Sequence, residues 1–121
     1  MTEKIKILII DDDTRLRELL KKYLENNNFL TDIVKNTSEA REKLKNTKYN
    51  LLIIDVMLPG ETGIDFLKEF RKSSNIPAII LSAMSDVEDR IYGLENGAND
   101  YITKPFEPKE LILRIKNLLQ K

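Results

Sequence analysis

The chain has 121 residues, 41% hydrophobic and 33% charged, enough for one buried core and too few for two, so a single unit spanning 1–121 is expected. Twenty Lys and Arg balance twenty Asp and Glu, so there is no global attraction to nucleic acid or anionic lipid, and any DNA binding is expected outside this chain. With no His and no Cys, a zinc site, a histidine-based triad and a phosphohistidine relay are excluded, leaving carboxylate, hydroxyl, amine and hard-cation chemistry.

Met1-Thr2-Glu3-Lys4 lacks the parts of a secretory signal, and no apolar run approaches the ~20 residues of a membrane span. A cytoplasmic location without membrane contact is the expectation. Residues 5–10 form a nearly uninterrupted apolar run, the pattern of a parallel strand covered on both faces. Leu16, Leu19, Leu20, Tyr23 and Leu24 then recur at helical spacing. Leu30–Val34 reads as a mixed, polar edge strand, and 36–46 as a helix opened by the capping pair Asn36 and Glu39.

Leu51–Ile54 and 78–81 are two further apolar strands. Phe66, Leu67 and Phe70 mark the helix between them, and Val87, Ile91 and Leu94 the next one. Asp100–Thr103 supplies a fifth strand. Leu111, Ile115, Leu118 and Leu119 mark a last helix, with Pro108 in its first turn, where a missing N–H is harmless. Five βα units in strict alternation predict an α/β fold, a doubly wound parallel sheet with right-handed crossovers. In such sheets ligands bind beyond the carboxyl ends of the strands, at the switch in strand order.

Those ends carry Asp11, Asp12 and Asp13 after strand one, Asp55 after strand three, Ser82 after strand four and Lys104 after strand five. Taken singly, Asp and Ser there are more often helix caps or turn formers, and Asp13 is assigned that role. Taken together, carboxylates from adjacent strands repel and raise one another's pKa unless a cation holds them. All-oxygen ligands with room for water and phosphate suit Mg²⁺, or Mn²⁺, better than a caged Ca²⁺.

The motifs Ile7-Leu8-Ile9-Ile10-Asp11-Asp12-Asp13, Ile54-Asp55-Val56-Met57-Leu58-Pro59-Gly60, Leu81-Ser82-Ala83 and Lys104-Pro105-Phe106, in this order, resemble the response-regulator receiver domain of two-component signalling. The resemblance covers essentially the whole chain. It implies a flavodoxin-like five-stranded sheet of order 2-1-3-4-5 with five helices. It further implies that Asp55 accepts a phosphoryl group from the phosphohistidine of a sensor histidine kinase. Asp11 and Asp12 would hold Mg²⁺, with the Asp55 carboxylate and the backbone carbonyl of Met57 completing the protein ligands.

Phosphoryl transfer requires in-line positioning and neutralisation of three equatorial oxygens, a task to which an ammonium at Lys104 and a hydroxyl at Ser82 are suited. The family commonly has a cis peptide where this chain has Lys104-Pro105. By the same resemblance, Ser82 and Tyr101 form a switch pair, Tyr101 turning from exposed to buried as Ser82 moves toward the phosphoryl group.

The segments Asp89-Arg90-Ile91-Tyr92-Gly93-Leu94-Glu95, Gly97-Ala98-Asn99-Asp100-Tyr101 and Pro108-Lys109-Glu110-Leu111-Ile112-Leu113-Arg114-Ile115 resemble the OmpR/PhoB-type subfamily. Its members pair through the fourth helix, fifth strand and fifth helix, which implies a phosphorylation-dependent homodimer. Arg90 would meet Glu110 of the partner subunit, and Asp100 a basic residue of the last helix, where Arg114 lies. Asn99 departs from the acidic residue usual there.

Met57 and Met84 stand where the family flanks the water that attacks the acyl phosphate, and neither orients water, so slow self-dephosphorylation is expected. The chain is therefore expected to be a switch that labels itself and not an enzyme with turnover. A haloacid-dehalogenase-type phosphatase needs Thr where Arg15 stands. A flavodoxin-like cofactor binder needs a glycine- and hydroxyl-rich loop where three aspartates would repel FMN. The end at Lys121 fits either a single-domain regulator or the N-terminal half of a transcription regulator.

Overall fold

The computed structural model describes residues 4–120, so residues 1–3 and 121, the ends of the expected 1–121 unit, lie outside the described residues. Strands β1 (Lys6–Ile10), β2 (Leu30–Val34), β3 (Leu51–Ile54), β4 (Ala78–Ser82) and β5 (Asp100–Thr103) alternate with α1 (Thr14–Asn26), α2 (Thr37–Asn46), α3 (Gly63–Phe70), α4 (Val87–Glu95) and α5 (Pro108–Leu119). All neighbouring strands pair in parallel, in the order β2-β1-β3-β4-β5. The expected α/β class and strand order are both present. β4 runs one residue further than expected, taking Ser82 into the strand.

Alternation along each strand splits the apolar runs between two layers. Leu8, Ile10, Leu52, Ile54 and Ile80 pack with Ala40 of α2 and with Phe66 and Leu67 of α3. Ile7, Ile9, Leu51, Ile53, Ile79 and Leu81 pack with Leu20 and Leu24 of α1 and with Leu111, Ile112 and Ile115 of α5. This two-sided burial is why β1, β3 and β4 read as continuous apolar runs. β2 lies at the sheet edge, where Leu30 is left exposed.

Local capping places the helix starts. Asp13 accepts from Leu16 N–H at 3.1 Å, Asn36 from Glu39 N–H at 2.8 Å and Thr62 from Asp65 N–H at 3.0 Å. Asp13 is thus a cap, as assigned. The Glu39 carboxylate reaches back to Lys35 N–H at 3.1 Å, one residue before the cap.

α4 departs from the usual amphipathic logic. Its apolar residues Val87, Ile91 and Leu94 are 54, 50 and 46% exposed. The buried residue is Gly93, where an added Cβ would stand 2.8 Å from Ile80 Cδ1 and 3.0 Å from Tyr101 Cδ2. α4 therefore approaches the sheet through a glycine and turns its apolar stripe outward.

A second glycine is tighter. A Cβ at Gly63 would stand 1.9 Å from the Asp55 backbone oxygen, so α3 starts in direct contact with the end of β3. Gly63→Ala is expected to destabilise the protein by on the order of 3 kcal/mol, since the obstacle is backbone, not a movable side chain. Urea denaturation measures this; an unchanged midpoint would contradict the close packing.

Candidate functional site

The strand order reverses between β1 and β3, and the crevice at their carboxyl ends collects the acidic residues. Asp11 continues the ladder by donating its N–H to Val34 O at 3.1 Å, and Asp55 by donating to Ile10 O at 3.0 Å. Both residues are buried, at 3 and 7% exposure, while Asp12 is exposed. Ligand oxygens of Asp11, Asp12 and Asp55 all lie within 4.8 Å of one another.

Lys104 enters from the β5–α5 loop. Its Nζ donates to Asp11 Oδ2 and to Asp55 Oδ2, each at 3.0 Å, and the Lys104-Pro105 peptide is cis. The remaining carboxylate oxygens are held by backbone: Asp11 Oδ1 accepts from Asp13 N–H at 2.9 Å, and Asp55 Oδ1 from Met57 N–H at 3.1 Å. The carboxylates are thus oriented at both oxygens.

The electrostatics follow from this crowding. Burial pushes the Asp11 carboxyl above its ordinary value and the Asp55 charge adds to the rise, against the pull of the Asp13 amide and Lys104. Burial alone would lower the Lys104 amine, but the hydrogen bonds and charges of Asp11 and Asp55 outweigh it and hold the amine above its ordinary value. One ammonium faces three carboxylates. That excess of hard oxygen donors over positive charge could hold a metal cation.

Ser82 and Tyr101 sit behind the carboxylates. Ser82 is fully buried, its Oγ accepting from Met84 N–H at 3.3 Å, and its carbonyl accepts from Lys104 N–H at 2.9 Å. Tyr101 is 8% exposed and donates its hydroxyl to Met84 O at 2.6 Å, so it occupies the buried arrangement of the expected switch pair. Burial and the Asp89 charge raise the Tyr101 hydroxyl above its ordinary value.

The residues expected at a dimer interface lie apart from the carboxylates. Arg114 forks onto both oxygens of Asp100 at 3.0 Å and reaches Glu110 Oε2 at 3.0 Å, all within one chain. Arg90 lines a polar cleft with Glu110 and Arg114. Asn99 is exposed, its side-chain oxygen accepting from Arg71 Nη2 at 3.1 Å and Ala78 N–H at 2.9 Å.

Sequence reasoning missed Arg17, whose Nη1 donates to the Asp11 carbonyl at 2.7 Å. It also missed Arg41, which pairs with Glu61 across two elements. Neither has a local motif, because an arginine on a helix reads as solvated until its partner is placed.

The family model for the response regulator receiver domain matches residues 7–116. The chain belongs to this family. It is 47% identical over 116 residues to the transcriptional regulatory protein CpxR homolog of Haemophilus influenzae, covering 96% of this chain and 51% of that protein. It is 41% identical over 120 residues to the transcriptional regulatory protein ResD of Bacillus subtilis, covering 99% of this chain and 50% of that one. The receiver domain of the Francisella response regulator 1452 superposes with a TM-score of 0.91 at 39% identity, covering 95 and 96% of the two chains.

This receiver domain spans about half the length of the curated relatives it matches. No described helix is long and apolar enough to cross a membrane. Because folding buries Asp11 where ionisation is disfavoured, Asp11→Asn is expected to raise the thermal midpoint of the metal-free domain by a few degrees while weakening divalent-cation binding. Calorimetry with and without chelator distinguishes the two effects, and a lowered midpoint in chelator would contradict the crowding argument.

Proposed function

We propose that this receiver domain takes a phosphoryl group onto Asp55 from the phosphohistidine of a sensor histidine kinase and passes the change to its α4–β5–α5 surface. The observation that carries this reading is the Lys104 ammonium, 3.0 Å from both Asp55 Oδ2 and Asp11 Oδ2. A solvated strand-end lysine would have no reason to bridge two buried carboxylates.

In the transfer, an Asp55 oxygen attacks phosphorus in line with the histidine nitrogen. The N–P bond breaks, its electron pair returns to the imidazole, and an acyl phosphate forms on Asp55. Asp11, Asp12, the Asp55 carboxylate and the Met57 carbonyl are the residues that would hold Mg²⁺, or Mn²⁺. When bound, the cation neutralises charge on the transferred oxygens. Lys104, 3.0 Å from Asp55 Oδ2, would follow one phosphoryl oxygen as a point charge, and the Ser82 hydroxyl, on moving toward the phosphoryl group, would donate to another. Met57 and Met84 offer no group to orient an attacking water, which supports slow self-dephosphorylation and a switch in place of a turnover enzyme.

The kinase would dock beside Lys104, where Leu16, Leu19, Leu20 and Tyr23 of α1 face Phe106 and Pro108 across a groove of about 320 Å³. Leu19 is 58% exposed there. For output, the exposed Ile91 and Leu94 of α4 and Leu113 of α5 supply the apolar surface for a phosphorylation-dependent homodimer. Arg90, Asp100, Glu110 and Arg114 would form its charged rim, the last three exchanging their partners within the chain for those of a second copy. Curated relatives of twice this length are named transcriptional regulators, which supports control of transcription by a domain outside this chain.

Incubation with acetyl phosphate and Mg²⁺ is expected to add one phosphoryl mass per chain, stable for longer than minutes. Asp55→Asn should abolish it without altering the circular dichroism spectrum, and labelling that survives the substitution overturns the assignment. Catalytic release of phosphate from simple monoesters would favour a phosphatase instead. For the output, beryllofluoride with Mg²⁺ should convert monomer to dimer in light scattering, and Ile91→Glu should prevent it; a monomer at high concentration with the mimic bound removes the dimer reading.

A further inference from the structure

We propose that Arg41, on α2, is a positioning residue for the metal site, acting through Glu61 to brace the β3–α3 loop. The inference rests on the Mg²⁺ reading above. The loop carries Asp55 at its start, Met57 two residues on and Glu61 and Thr62 at its end. Its base is closed by Gly63 N–H donating to Val56 O at 2.9 Å and by Leu58, which is buried in the core. Beyond Leu58 the chain emerges: Pro59 and Gly60 are exposed, Gly60 at a φ of +80°. Thr62 caps α3, accepting from Asp65 N–H, and Glu61 before it is held by side-chain hydrogen bonds from α2.

Arg41 Nη1 donates to Glu61 Oε1 at 2.7 Å and Nη2 to Oε2 at 3.0 Å, a two-pronged pairing that fixes orientation as well as distance. The guanidinium also lies over the Phe66 ring, 4.9 Å from its centroid. Phe66 is 1% exposed and stacks on Phe70, so the arginine rests on a side chain that is itself held in the core. α2 is anchored in turn by the buried Ala40 and Thr37. The pairing holds the Glu61 carboxyl below its ordinary value and the Arg41 guanidinium above its own.

An isolated surface ion pair contributes ~0–1 kcal/mol and would leave a distant site untouched. Here the pair closes a path from a rigid ring to the loop bearing the nucleophile and the Met57 carbonyl. Supporting groups behind a metal site set its affinity by holding ligands in place.

The sign of the effect separates a brace from simple electrostatics. Removing the positive charge of Arg41 by Arg41→Met would, through space alone, tighten Mg²⁺ binding, whereas Glu61→Gln would weaken it. A brace requires both to weaken it, by about threefold to tenfold in titration calorimetry. The double variant should be no weaker than either single one, and Arg41→Lys should lie between Met and wild type because it keeps the charge without the fork. In the metal-free domain, amides 57–61 should exchange hydrogen faster in Arg41→Met, with the thermal midpoint little changed. Tighter Mg²⁺ binding by Arg41→Met, unchanged binding in both single variants, or additive losses in the double variant would each overturn the brace alone. A wild-type domain that takes up no Mg²⁺ overturns the metal reading, and this inference with it.

Discussion

The buried pair of carboxylates, Asp11 and Asp55, constrains everything around it. Two like charges at the switch in strand order are disfavoured by burial and by each other, and the protein accepts that arrangement because Lys104 lies 3.0 Å from both. The backbone is recruited to the same end, with the Asp13 and Met57 amides occupying the oxygens that Lys104 leaves. A site held in this way is incomplete in charge and fully specified in geometry. Fixed carboxylate oxygens in excess of positive charge are what a hard cation needs: attraction without reorganisation.

The rest of the molecule serves to bring three loops to that point. Parallel pairing of β1 with β3 sets Asp11 beside Asp55, and the ladder carried beyond the strand ends by their own N–H groups keeps them there. Gly63 allows α3 to start against the carbonyl of Asp55, so the loop that follows Asp55 is closed at its base. On the far side, Lys104 N–H bonds the carbonyl of Ser82, which links the ammonium to the strand bearing the hydroxyl.

The path to the surface runs through Met84. Its N–H meets the Ser82 hydroxyl, and its carbonyl accepts from Tyr101, so one residue joins Ser82 to the ring on β5. Gly93 of α4 lies against that ring. The helix is therefore seated on the Tyr101 ring, and its apolar stripe faces outward. The same closeness that fits α4 to a buried Tyr101 ties its position to that of the ring.

Much of this was legible in the chain. The alternation of apolar runs and helical periods determined the α/β class, because covered parallel strands must be apolar on both faces and their connections must be helical. The strand-end positions of Asp11, Asp55, Ser82 and Lys104 followed from the same runs. What only the tertiary structure decided were relations between residues far apart in sequence. Lys104 is 93 positions from Asp11, and nothing local shows that they touch. The outward face of α4 depends on Gly93 meeting Tyr101, which periodicity cannot see, since an apolar stripe has the same spacing whether it is buried or exposed. Arg41 and Arg71 carry no motif, and only folding supplies Glu61 and Asn99; Arg114, expected to face Asp100 across a dimer, meets Asp100 of its own chain. Composition and period determine which residues are buried together; which polar groups meet is determined by the crossings of the chain.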